Sequence, residues 1–277
     1  MVARPRMLAA TVELFPVRTP TLPPATHTNS YALGDREVLL VEPATPYADE
    51  KSAWLRWAAD LRALGRTLVG IFVTHHHVDH APAAQPFARA LDLPLYAHPA
   101  TFARLKGLEG VRCVEITDGH EFVLDGPIKT RWIALHTPGH APGHLCLHEP
   151  HHKTLIAGDM VANGSTILVP PDDDGDMADY LAQLRRLDDL DTQTLLPAHG
   201  EPIDDPHAVL TYYVQHRLMR EEKIRAAHET LTRSLGRMPT IAELVPVAYD
   251  DTNVALWPLA KLSLEAHLVK LRREGRV

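Results

Sequence analysis

The stretch from Val69 to His80 constrains this chain more than any other. Val69-Gly70-Ile71-Phe72-Val73 is a continuous run of strand length with no polar side chain in it, the pattern of a strand buried on both faces. It delivers the chain directly into Thr74-His75-His76-His77-Val78-Asp79-His80. His75, His77, Asp79 and His80 carry imidazole and carboxylate groups, donors that suit Zn²⁺, Fe or Mn²⁺. Such polar groups cannot continue a buried strand. A loop at its end can splay them into one cleft. The expectation is a layered fold with a metal site at a strand end.

The rest of the chain is consistent with layers. Residues 8–16 and 29–34 alternate as strands, and Val38-Leu39-Leu40-Val41 is a buried strand that ends before Pro43. A helix is expected over 48–64, stopped by Gly65, and a shorter one over 82–91. Leu95-Tyr96-Ala97 reads as a strand. Strand-like runs follow at 111–116, 121–124, 130–136, 144–148 and 154–157. An amphipathic helix over 177–190 precedes the strand Thr194-Leu195-Leu196. Strands and helices alternate at both ends of this stretch around a block of short strands, which points to an α/β architecture of two sheets between helices.

Beyond about Pro206 the pattern becomes helical: 207–235 closed by Gly236, a helix capped at Pro239-Thr240 and running through Ala248, and a third over roughly 255–274. The last 73 residues hold 11 Lys and Arg against 9 Asp and Glu, whereas the first 204 hold 17 against 26. Two domains are therefore expected, 1–204 and 205–277. The formal net charge of −7 argues against nonspecific nucleic-acid binding by the whole surface. No run approaches the roughly 18 apolar residues of a membrane span. Arg4 and Arg6 precede only the short stretch Met7–Ala10 before Glu13, so no signal-peptide core is expected. Cys113 and Cys146 both fall in strand-like runs and are expected to be buried free thiols, which fits a cytoplasmic location.

With 18 histidines in the chain, other strand ends need testing as ligand sites. Leu135-His136-Thr137-Pro138-Gly139-His140 ends a strand in a Pro-Gly turn. Leu155-Ile156-Ala157-Gly158-Asp159 ends a second, and Gly158 permits close backbone approach. Leu195-Leu196-Pro197-Ala198-His199-Gly200 ends a third. Each alone is weak. In this order the set His75, His77, Asp79, His80, His140, Asp159 and His199 resembles the seven-ligand pattern of the metallo-β-lactamase superfamily.

That resemblance covers residues from about 10 to 204. It implies a four-layer αβ/βα sandwich with the site at one edge, followed here by a small helical, winged-helix-like C-terminal domain. It also implies that His75, His77 and His140 hold one zinc ion, that Asp79, His80 and His199 hold a second, and that Asp159 bridges them. Fe or Mn could take the place of zinc. A bridging hydroxide would be the nucleophile, and Asp79, as the catalytic residue, would orient it. Neither a Gly-x-Ser-x-Gly elbow nor a P-loop is present.

Within the superfamily, the chain is similar to the lactamase-beta-2 endoribonucleases through Gly158-Asp159, Gly164-Ser165-Thr166, Ala198-His199-Gly200-Glu201-Pro202, His216-Arg217, Arg220-Glu221 and Leu262–Leu271. Those enzymes act on single-stranded RNA. The acidic insertion Asp172-Asp173-Asp174 would repel a polyanion, so a small ester, thioester or lactone is the first expectation and RNA cleavage the alternative. An iron-dependent sulfur dioxygenase and a non-catalytic nucleic-acid-binding protein are lesser alternatives, and a homodimer is compatible with all of these.

Other residues can be sorted in advance. His76 alternates away from His75 and His77. His144 is expected to make structural hydrogen bonds rather than bind metal. Asn29-Ser30-Tyr31 resemble an early strand near the site, and Glu42 stands where family members often carry Asp. Arg217, Arg220, Lys223 and Arg225 read as a solvated helix face, with phosphate contact as the alternative. His151, His152, His207, His216 and His228 read as surface residues, and Leu256, Ala260, Leu264, Leu268 and Leu271 as a core stripe. Gly164-Ser165-Thr166 reads as an ordinary loop, with lining of a substrate cleft as the alternative.

Overall fold

The structure, a computed structural model, describes residues 4–277. Its chain divides into two compact units that are not continuous in sequence. The first comprises residues up to Thr137, Gly143–Ser165 and Asp191–Pro206; the second comprises Pro138–Pro142, Thr166–Leu190 and His207–Val277.

The first unit is built on two sheets. Strands β1 (Arg6–Ala9), β2 (Val12–Arg18), β3 (His27–Leu33), β4 (Glu37–Val41), β5 (Thr67–Phe72), β6 (Leu95–Ala97) and β7 (Cys113–Glu115) form a seven-stranded sheet in that order. The pairing is antiparallel through β4 and parallel from β4 to β7. Strands β8 (Glu121–Leu124), β9 (Thr130–His136), β10 (Leu145–Glu149), β11 (Thr154–Gly158) and β12 (Thr194–Pro197) form the second sheet, ordered β12-β11-β10-β9-β8. The continuous strand expected over 8–16 is broken by a turn at Ala10-Thr11 into β1 and β2, which pair as a hairpin.

Two cores follow from the alternation of side chains along these strands. One face of the seven-stranded sheet packs Val38, Leu40, Ile71 and Leu95 against helices α1 (Ala48–Ala63) and α2 (Ala84–Leu91). Trp54 lies at its centre, stacked on Phe87 at 4.0 Å and edge-on to Trp57 at 5.7 Å. Burying each such side chain contributes roughly 1.5–3 kcal/mol. The other face packs Tyr31, Leu39, Val41 and Phe72 against Trp132, Leu145, Leu147 and Ile156 of the second sheet. A short helix, α3 (Pro99–Phe102), follows β6; too brief for helical periodicity, it had no signature in the sequence beyond Pro99. Cys146 is buried, but Cys113 is exposed, because β7 is an edge strand paired only with β6.

The second unit is helical. It contains α4 (Met177–Asp188), α5 (Pro206–Leu235), α6 (Ile241–Ala248) and α7 (Trp257–Arg273). Thr240 and Glu243 form a reciprocal capping box at the start of α6. Its core joins Ile224 and Ala227 of α5, Leu244 and Ala248 of α6, and Ala260, Leu264, Leu268 and Leu271 of α7. Leu256 falls outside this stripe and is exposed, because 254–256 form a 3₁₀ turn that breaks the helical phase. The buried face of α5 carries charge: Arg217, Arg220 and Glu221 lie on it beside Tyr213, Ile224 and Ala227. The solvated face expected for Arg217 and Arg220 is therefore a packed one. His228 is buried on the same stripe and His216 half-buried, whereas His151, His152 and His207 are exposed as expected. Among the described residues no strand follows β12 and no helix is long and apolar enough to cross a membrane.

Candidate metal centre

The ends of several strands in the first unit supply the polar side chains. Strand β5 runs out into His75–His80, β11 ends at Gly158 before Asp159, and β12 ends at Pro197 before Ala198-His199. Gly158 adopts φ +50, and a Cβ there would lie 2.4 Å from His144 Nε2. That contact requires glycine, because the His144 ring accepts the Asp159 backbone N–H at 3.0 Å. His144 Nδ1 contacts Thr137 Oγ1 at 2.8 Å. His144, fully buried, thus makes structural hydrogen bonds and holds the peptide that presents the Asp159 carboxylate.

His75, His80 and Asp159 offer ligand atoms within 4.8 Å of one another, as do Asp79, His80 and His199. His75 Nε2 lies 3.0 Å from His77 Nδ1, and His75 Nδ1 lies 2.8 Å from Thr74 Oγ1. His80 Nε2 is 3.4 Å from Asp159 Oδ1 and 3.7 Å from Asp79 Oδ1. His199 Nε2 is 3.4 Å from Asp159 Oδ1 and 3.5 Å from Asp79 Oδ2. Six of the seven expected residues therefore gather in one unit. His140 belongs to the second unit, where its Nδ1–H donates to Leu168 O at 2.8 Å. His76 is half-buried, its ring perpendicular to that of His75.

The rings are aimed from behind. His80 Nδ1–H donates to Glu42 Oε2 at 3.0 Å, and the Thr74 backbone N–H donates to Glu42 Oε1 at 2.9 Å. His199 Nδ1–H donates to His27 O at 3.0 Å. Each bond fixes a tautomer and leaves Nε2 pointing forward, the arrangement characteristic of metal-ligating histidines. Strand β3 is the spine of this support. Thr28 Oγ1 donates to Asp79 O at 2.8 Å, Asn29 Nδ2 to Pro197 O and Gly200 O at 3.0 and 2.8 Å, Ser30 Oγ to Glu42 O at 2.5 Å, and Tyr31 Oη to Pro197 O at 2.7 Å. In the sequence Asn29-Ser30-Tyr31 carried only a weak signal and Thr28 none. The one pointer was a run of polar side chains, His27 to Ser30, opening a strand that continues as Tyr31-Ala32-Leu33.

The electrostatics ask for a cation. Burial alone would lower the basicity of His80, yet the carboxylates of Asp159, Asp79 and Glu42 outweigh it and hold the imidazole well above its ordinary value. His80 is fully buried and its Nε2 closes no hydrogen bond. A buried nitrogen facing two carboxylates through gaps of 3.4–3.7 Å is satisfied by a divalent ion, which neutralises the acids and accepts the lone pair. By donor chemistry and burial, these residues fit a divalent metal.

Comparison with known proteins agrees with this geometry. The metallo-beta-lactamase superfamily profile matches residues 23–199, and the beta-lactamase associated winged helix domain matches residues 240–277. A beta-lactamase-like protein 2 homolog of Caenorhabditis elegans is 29% identical over 258 residues, spanning 90% of this chain and 80% of its own. An atrochrysone carboxyl ACP thioesterase of Aspergillus chevalieri is 29% identical over 260 residues, spanning 90% of this chain and 77% of its own. Among solved structures, a metallo-beta-lactamase family protein of Thermus thermophilus superposes with a TM-score of 0.75 at 24% identity, covering 97% of this chain and 95% of its own. With a sandwich whose strand ends gather imidazoles and carboxylates, and a helical domain following it in sequence, the chain belongs to the metallo-beta-lactamase superfamily and is one of its hydrolases.

Proposed function

We propose that this hydrolase cleaves a small acyl substrate (an ester, thioester or lactone) at a binuclear zinc site. Its ligands are His75, His77 and His140 for one ion and Asp79, His80 and His199 for the other, with Asp159 shared. The observation that carries the reading is the convergence of His80 Nε2 and His199 Nε2 on the carboxylates of Asp79 and Asp159. The assignment of His140 and the pairing of ligands rest on the family pattern. When bound, two such ions would bring the pKa of a shared water toward neutrality and polarise the scissile carbonyl. The chain's own residues do the rest. Asp79, tied at its backbone by Thr28, orients the attacking water and takes up its proton. Glu42 and the His27 carbonyl keep His80 and His199 in the tautomer that presents Nε2.

A thioester is favoured among acyl substrates by the thioesterase relative. The alternative, cleavage of single-stranded RNA, calls for cations that can reach phosphates. Arg217 and Arg220 are buried, Lys223 is paired with Asp250 and Asp251, and Arg225 with Glu222 and Glu229. That distribution supports the acyl reading. Two free thiols and the absence of a membrane-spanning helix among the described residues are compatible with a cytoplasmic enzyme.

The test is a substrate panel on protein whose metal content has been measured: an acyl thioester, a glutathione thioester, an aryl ester, a lactone, a phosphodiester and single-stranded RNA. Turnover of the acyl compounds by protein holding two zinc ions is expected. Cleavage of RNA alone would replace the acyl reading with the nuclease one, and iron with oxygen consumption would replace both.

A further inference from the structure

Arg217, on α5, is 3% exposed and has an unusual set of neighbours. The other buried cations of this unit, and two of their neighbours, are matched by carboxylates: Arg220 by Asp251, Lys223 by Asp250 and Asp251, Lys270 and Arg276 by Glu221 and Glu274. Among the described residues Arg217 pairs with none. Its Nη2 donates to Ile167 O, its Nη1 reaches Ser263 Oγ at 3.5 Å, and its guanidinium lies 5.5 Å from the centroid of the Tyr180 ring. Its Nε closes no hydrogen bond. Burying an unpaired guanidinium is costly, and an apolar side chain of similar volume would serve stability as well or better. Stability alone does not account for an arginine here.

The carbonyl that Arg217 grips offers a reason. Ile167 O is one peptide from Leu168 O, the acceptor of the His140 Nδ1–H at 2.8 Å. A shift of the 167–168 backbone would turn the Leu168 carbonyl and with it the imidazole. The other side of the His140 turn is held by the same unit. Gly139, at φ +130, lies so close to α4 that a Cβ would meet Tyr180 N at 2.3 Å. Gly139 O accepts the Asp176 N–H at 2.8 Å, and Asp176 caps α4 through Ala178 N and Asp179 N while pairing with Arg273 of α7 at 2.5 Å.

We propose that Arg217 is a positioning residue for His140. By pinning Ile167 O it fixes the Leu168 carbonyl, which sets the tautomer and orientation of the His140 ring. Through Arg217 and Arg273 the C-terminal helices thus contribute to metal binding without supplying a ligand. This inference rests on His140 being a ligand, so the test includes that residue.

Zinc affinity is measured by competition with a chromophoric chelator, and the visible spectrum of the Co²⁺-substituted protein is recorded, for Arg217→Met, Arg217→Lys, Arg220→Met and His140→Ala. Arg217→Met is expected to weaken metal binding about 10–100-fold, the usual effect of losing a supporting hydrogen bond behind a ligand, and to alter the Co²⁺ spectrum. Arg217→Lys, which keeps the buried charge and a donor for Ile167 O, is expected to recover part of the affinity. Arg220→Met lowers thermal stability with unchanged metal affinity. Wild-type affinity and spectrum in both Arg217 variants, with loss in His140→Ala, would overturn the Arg217 link alone. Equal weakening in Arg217→Met and Arg220→Met would also overturn it, as general destabilisation. Unchanged affinity in His140→Ala would remove the ligand assignment, and this inference with it.

Discussion

Each unit buries a histidine against a glutamate, and the two pairs behave oppositely. In the first, His80 Nδ1 lies 3.0 Å from Glu42 Oε2; in the second, His267 Nδ1 lies 3.6 Å from Glu221 Oε2. All four side chains are at most 3% exposed. Yet the imidazole of His80 is held well above its ordinary value, and that of His267 is pushed below it. The difference lies in what else surrounds each pair. Asp159, Asp79 and Glu42 add negative charge around His80, enough to outweigh the effect of burial. Around Glu221, Lys270 at 2.8 Å and Arg276 at 2.5 Å supply the charge that balances the carboxylate. Burial and the Arg217 charge then dominate at His267. The same residue types therefore make a site that demands a metal in one place and a closed ion-pair network in the other. The charges gathered around each pair, acidic at His80 and largely basic at His267, set the direction.

This contrast can be broken experimentally. The largest effect is expected from Asp159→Ala, which removes the carboxylate shared by His80 and His199. Hydrolysis should fall to background and metal content should drop, with the circular dichroism of the fold retained; full turnover in this variant would refute the bridging role. Glu221→Gln should act on stability rather than metal. Lys270 and Arg276 keep Glu274 but lose the buried anion between them, which is expected to cost about 1–2 kcal/mol, read as a lower denaturant midpoint with unchanged metal affinity. Next is Glu42→Gln, which keeps the shape but weakens the acceptor behind His80. Metal affinity should fall about 10–100-fold, and an unchanged chelator competition curve would count against Glu42 as a support.

Acid should separate the units further. Burial, followed by Arg217 and Arg220, depresses His216 from 6.5 to about 4. The unfolded imidazole takes up a proton near pH 6.5 and the folded one resists until about pH 4, so stability falls as pH drops through that window. Glu221 is opposed by burial but held by His267, Lys270 and Arg276, and drops from 4.5 to about 2. The stability it contributes is complete above pH 4.5 and lost as pH falls toward 2. Because His216 is only half-buried, its share is discounted to about 1 kcal/mol. Hydrogen exchange at pH 5 against pH 7 should show α5 and α7 losing protection while β3, β4 and β11 keep theirs. The smallest effect is expected at Leu256, 51% exposed in its 3₁₀ turn. Leu256→Ser should change stability by less than about 0.5 kcal/mol, and a larger loss would return this residue to the core stripe.

The strand-end motifs were legible because they are local. A buried strand must end where polar side chains begin, so Phe72-Val73 followed by His75–His80, and Ala157-Gly158 followed by Asp159, announce both the strand and the donors. Most helix boundaries were legible for the same reason: Gly65 and Gly236 lie just past the ends of their helices, and Thr240 with Glu243 forms the expected cap. The sequence could not say that Thr28, Asn29 and Glu42, 32 to 171 positions from their partners, would hold the site from behind. Those bonds depend on which strands become neighbours and in what register. Nor could it place Arg217 and Arg220. Helical periodicity assigns a face by hydropathy, and here the packed face of α5 includes charged residues whose partners arrive from α6, α7 and the segment before α4. Sequence alone pointed to the candidate donors, the strands that carry them and the family. Only the tertiary structure decided which donors meet, which histidine is turned by Glu42 and which by a backbone carbonyl, and that His140 shares a compact unit with the C-terminal helices. Local chemistry is written in neighbouring residues, but charge compensation is a property of the volume in which distant residues are brought together.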